Sequence, residues 1–158
     1  MDVTQRLKKS VDYAHYRFYA AFGLGYATVL SLFCTLMIGI ALISENRSLA
    51  VLWVTLLLPY LLFSPLWAYG IVKMREILND AEHYVILSGK MGLPHISFAR
   101  TIWFEVETKE YGTLHTNSVF TASLWGERSA EVWMKKSVKL AYDPNDGRVI
   151  ILARQGEL

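Results

Sequence analysis

The chain predicts an α+β membrane protein: a two-helix transmembrane hairpin followed by a small antiparallel, β-barrel-like cytoplasmic domain. Two runs, Phe18–Ser44 and Ser48–Val72, hold no charged residue and are separated only by Glu45-Asn46-Arg47. At about 1.5 Å of rise per residue, each covers a hydrocarbon core about 30 Å thick. A helix is the conformation that satisfies such a backbone in lipid. Beyond residue 95 the apolar pattern changes to period two, the mark of half-buried strands.

In residues 1–19, Val3, Leu7, Val11, Ala14 and Phe18 recur at steps of three or four, with Lys8, Lys9, Asp12 and His15 largely on other faces. That pattern predicts a basic amphipathic helix lying in the interface or running into the first span. Tyr13, Tyr16, Tyr19 and Tyr26 read as an aromatic belt. The first span, 20–44, carries Gly23, Ala27, Ser31, Thr35 and Gly39 at strict four-residue spacing. Small residues so placed let another backbone come close, which makes them the candidate helix-packing interface. The partner is the chain's own second span, a second copy, or another membrane protein. Cys34, the only cysteine, lies in this span and has no partner for an intramolecular disulfide. The run exceeds the apolar core of a signal peptide and a second span follows at once, so it is expected to be retained.

The second span, 48–72, is interrupted by Pro59 and Pro65. Neither span contains Asp, Glu, Lys, Arg or His, the residues that mark ion and proton paths, which argues against transport. Arg6, Lys8, Lys9, Arg17, Lys73, Arg75 and Lys90 flank the spans on one side, against Arg47 on the other. The positive-inside rule then places both termini in the cytoplasm.

Residues 73–94 read as a helical continuation to about Leu87, through Met74, Ile77, Leu78, Ala81 and Val85, and then a linker over Ser88–Gly92 and Pro94. The β-domain, 95–158, starts with a strand at Ile102–Lys109 that sets Ile102, Phe104 and Val106 opposite Trp103, Glu105 and Glu107. Further strands are expected at His115–Leu124, Glu131–Met134, Ser137–Tyr142 and Arg148–Ala153. The last two join through Asp143-Pro144-Asn145-Asp146-Gly147, where Pro presets its φ and Gly accepts a positive one. Short strands in so small a tail favour a barrel or curled sheet, because open edges invite aggregation. An outward Trp103 beside Glu105 suits contact with a partner or the membrane surface.

Other chemistry finds little support. The net charge of +2 and the absence of a long basic run argue against nucleic acid. His15, His83, His95 and His115 show no metal-ligand spacing, so neither metal nor cofactor is expected. Asp143, Asn145 and Asp146 lack the register of a calcium loop. Ser118, Ser123 and Ser129 lack elbow glycines, and Gly23-Leu24-Gly25 lies within a span and lacks the third glycine of a dinucleotide loop.

The segment Val138-Lys-Leu-Ala-Tyr-Asp-Pro-Asn-Asp-Gly-Arg-Val-Ile-Ile-Leu152 resembles the closing hairpin of certain uncharacterised small bacterial membrane proteins. In these, one or two spans accompany a β-domain ending in a V-x-V-x-Y-D-P strand and turn. This chain has Asp146-Gly147 where a second proline is often found. The resemblance implies a membrane-tethered β-module in a bacterial plasma membrane, without functional residues to carry over. The expected role is a non-enzymatic accessory or scaffold subunit, whose hairpin docks on a membrane complex while the β-module binds a cytoplasmic protein. The alternatives are a self-assembling homo-oligomer and a surface enzyme for lipid-linked substrate, the last requiring His95, His115 and Glu105 to meet.

Overall fold

The computed structural model describes residues 2–45, 50–97, 101–120, 133 and 135–154. Three helices, α1 (Val3–Lys8), α2 (Val11–Glu45) and α3 (Ala50–Asn79), precede a short 3₁₀ turn at Asp80–Glu82. Six strands follow: β1 (Val85–Ile96), β2 (Thr101–Thr108), β3 (Gly112–His115), β4 (Val119–Phe120), β5 (Ser137–Tyr142) and β6 (Val149–Arg154). The chain divides into two compact units. One is Tyr16–Lys73; the other joins the first fifteen residues to everything from Met74 onward.

In the helical unit, α2 and α3 are each long and apolar enough to cross a membrane. Their outer faces leave Val29, Leu36 and Leu61 between 63% and 72% exposed, among many other large apolar side chains. Contiguous apolar surface of that kind is rare on a soluble protein. The helices pack through small residues and a few polar links. Ser31 Oγ donates to the Leu56 carbonyl at 2.7 Å, and Thr28 Oγ1 lies 3.0 Å from the Tyr60 hydroxyl. Tyr16 and Tyr19 meet Tyr69 edge-on. Pro65 cannot donate to the carbonyl of Leu61, four residues back, and Ser64 Oγ takes that place at 2.7 Å. The segment 46–49, which holds most of the expected connecting loop, lies outside the described residues.

The second unit is built on an antiparallel sheet of order β3-β2-β1-β5-β6, with β4 extending the β3 edge along β2. The sheet is open. Leu87, Met91, Ile102, Phe104, Val106, Val138, Leu140, Val149 and Ile151 form its core together with Trp133 and with Val11 of α2. Tertiary contact therefore recruits the N-terminal segment, expected as an interfacial helix, into the β-unit. Ser10 begins α2 by accepting the Tyr13 N–H on its hydroxyl, 3.1 Å away, as an N-cap.

Two further expectations are corrected. Helix α3 ends at Asn79 instead of running to Leu87, and residues 85–94, read as helix end and linker, belong to β1, the longest strand among the described residues. Glycine at 89 suits that strand: a Cβ there would stand 2.5 Å from Val106 Cγ1 and 3.2 Å from Leu140 Cδ1. Pro94 is admitted because the β1–β2 register shifts between Met91 and Pro94, where ladder donation is already interrupted. Of the second expected strand, His115–Leu124, only His115 (the end of β3, which begins at the Gly112 read as a turn) and Val119–Phe120 (β4) are strand, and 121–124 lie outside the described residues. The third falls mostly outside them too, and the closing hairpin β5–β6 forms as read, with Gly147 at φ +74°.

The helices come close together at Gly70, where a Cβ would stand 2.6 Å from the Tyr16 carbonyl oxygen and 2.7 Å from the Ala20 nitrogen. Gly70→Ala is expected to destabilise the hairpin by about 1–3 kcal/mol, the usual range for overpacking. Gly25→Ala, which meets nothing within 4 Å, is expected to be neutral. Thermal or SDS-induced unfolding in micelles separates the two variants.

Candidate functional site

Alternation along β2 sends Ile102, Phe104 and Val106 inward, all fully buried, and leaves Trp103, Glu105 and Glu107 on the opposite face. Register then gathers the neighbours. His95 of β1 pairs with Trp103, and His115 of β3 pairs with Glu105. The His95 ring lies flat on the Trp103 indole, centroids 3.9 Å apart and 9° from parallel, while His115 meets the indole edge-on at 5.2 Å. His95 Nε2 sits 3.1 Å from Glu105 Oε1, with side chains 40% and 34% exposed. A half-buried indole thus packs between two imidazoles, with Glu105 beside it. Flat aromatic area with hydrogen-bonding groups at its rim fits protein recognition.

A second cluster ties the start of α2 to the sheet. Asp12 is buried and accepts from Asn117 Nδ2 at 2.7 Å and from the Ile151 backbone N–H. Burial raises its carboxyl from the ordinary 3.8 to about 6, opposed by these donors and by the Arg148 charge. One turn on, His15 Nδ1 accepts the Phe120 N–H at 3.0 Å, and its ring packs on Phe120 at 4.6 Å. Burial lowers this imidazole from 6.5 to about 4, keeping it neutral. Asn117 also donates its backbone N–H to the Val149 carbonyl, 3.3 Å away. The α2 helix, at about 52 Å, is far longer than the hydrocarbon core, and these two residues belong to the β-unit, outside the span expected at 20–44.

The residues singled out by spacing are distributed differently. Gly23, Ala27 and Ser31 face α3: a Cβ on Gly23 would meet Trp67, Ala27 is fully buried, and Ser31 bonds Leu56. Thr35 and Gly39 are half-buried. Trp103 and Glu105 share the outer face, as the alternation implies. The structure also brings His95, His115 and Glu105 together, which sequence spacing leaves open. Asp12, His15 and Gly70 escaped detection. Asp12 and His15 were placed on the polar face of an amphipathic helix, and Gly70 stands outside any repeat. Among the described residues no group of three His, Cys, Asp or Glu side chains is placed to hold a metal ion. No family model, curated protein or solved structure matches the chain.

The two buried titrations run in opposite directions. The folded state favours protonated Asp12, so its contribution is full below pH 3.8 and is lost as pH rises through about 6. The folded state favours neutral His15, so its contribution is full above 6.5 and is lost as pH falls through about 4. Each shift corresponds to about 3 kcal/mol. Relative to the parent, Asp12→Asn should gain stability by roughly that amount between pH 4 and 6. As pH falls from 6.5 to 4 the parent loses stability that His15→Gln does not lose, so this variant should gain a similar amount relative to the parent toward pH 4. Thermal unfolding of the three proteins across this range checks both signs.

Proposed function

We propose that the chain is a non-enzymatic accessory or scaffold subunit of a membrane complex, anchored by α2 and α3 and presenting the β-unit to a cytoplasmic protein. In this reading the two helices cross the plasma membrane and both termini lie in the cytoplasm, as the Lys and Arg bias beside the spans favours. The sheet curls into a barrel-like form, supported by the Asn117–Val149 hydrogen bond between the two ends of its strand order.

The observation that carries the proposal is the outward Trp103, stacked on His95, edged by His115 and bordered by Glu105. Solvent-face strand positions seldom need an indole for stability, and a pre-ordered one lowers the entropy lost on binding. Because Gly23, Ala27 and Ser31 already pack within the hairpin, the β-unit is the part left to select the partner.

The full-length protein purified from its native membrane in mild detergent should carry a partner at fixed stoichiometry, identified by mass spectrometry. Trp103→Ala should weaken that association by about 2 kcal/mol or more, the scale of a hot-spot truncation, while thermal unfolding stays close to the parent. Undiminished retention of the partner by Trp103→Ala would sink the assignment of this face.

A further inference from the structure

We infer that the β1–β2 end of the sheet docks into the headgroup–acyl boundary of the bilayer through Leu93 and Ile96. The inference rests on the membrane reading above and goes beyond it by assigning a second, peripheral contact with lipid. In the β-unit, Ile96 and Leu93 are the two most exposed of the large apolar side chains recorded, at 66% and 56%. Both lie toward the end of β1.

The strand pairing says which end of the unit this is. Helix α2 rises from Asp12, bonded to Asn117, to His15, which takes the N–H of Phe120. It therefore runs in the direction of β4. Phe120 pairs with Thr101, and the Thr101 carbonyl accepts the N–H of Ser97, directly after Ile96. His15 is the last residue of this unit before α2 continues unbroken into its uncharged run. Within this unit the first turns of α2 thus point toward the end that bears Ile96.

Charge is arranged to match. Leu93, Pro94, Ile96 and Ser97 are uncharged, and Arg100 of the connecting segment lies outside the described residues. The turns at the other end, brought together by the Tyr111–Tyr142 contact, carry Lys109, Glu110, Asp143 and Asp146. Exposed apolar side chains at one end, with Asp143 and Asp146 at the other, suit an interfacial anchor.

The test uses the full chain with Cys34→Ser and an environment-sensitive nitrobenzoxadiazole label at Ile96→Cys, with Leu93→Cys as a second site and Thr113→Cys as the control. Each is reconstituted into phosphatidylcholine vesicles containing lipid with a nitroxide close to the acyl carbonyl. Blue-shifted emission at 96 and 93, quenched several-fold more than at 113, is expected. Equal quenching at all three sites overturns the docking. A blue shift at 96 without lipid quenching means that protein covers this end, and also overturns it. Failure of the unlabelled chain to float with the vesicles would instead remove the membrane reading itself, and the docking with it.

Discussion

Asp12 stands between two strand edges that form no ladder among the described residues and meet through the Asn117 N–H and the Val149 carbonyl. Its carboxylate takes one hydrogen bond from Asn117, beside the β3–β4 edge, and another from the Ile151 N–H of β6. A buried carboxylate without donors costs several kcal/mol, and exposed edge N–H groups are a standing invitation to foreign strands. Each problem offsets the other here. The same contact makes the first turns of α2 part of the β-unit, with Val11 in its core and His15 against Phe120. Asp12 thus links the start of α2 to both strand edges.

The hairpin uses a different principle. In the membrane setting proposed above, lipid is as apolar as leucine, so burial would give α2 and α3 little reason to associate, and close backbone approach would have to supply it. Gly70 against Tyr16 and Ala20, and Gly23 against Trp67, provide that approach. The Ser31–Leu56 hydrogen bond fixes the register between the helices. Ser64 repairs the carbonyl that Pro65 leaves without a donor, so proline shapes α3 without ending it.

The outer face of the sheet follows from register alone. Once Ile102, Phe104 and Val106 are committed to the core, Trp103 and Glu105 must face out, and antiparallel pairing brings His95 and His115 beside them. Cross-strand neighbours of this kind stabilise a sheet modestly. Here they also pack against an outward indole, the feature on which the proposed recognition role rests.

Charge-free length determined the two apolar helices, and alternation determined strands β2 and β5, the outward Trp103 and the β5–β6 turn, because all of these depend on interactions between residues near in sequence. The tertiary structure decided the rest. Residues 88–94 look like a linker because glycine and proline break local patterns, yet they are strand where Val106 and Leu140 fill the space that a side chain would take. Asp12 and His15 look like the wet face of a helix until Asn117, Ile151 and Phe120 arrive from more than a hundred residues away. The meeting of His95, Glu105 and His115 required strand order. Period and composition report which faces are apolar, whereas the partners of a buried polar group are chosen by the fold.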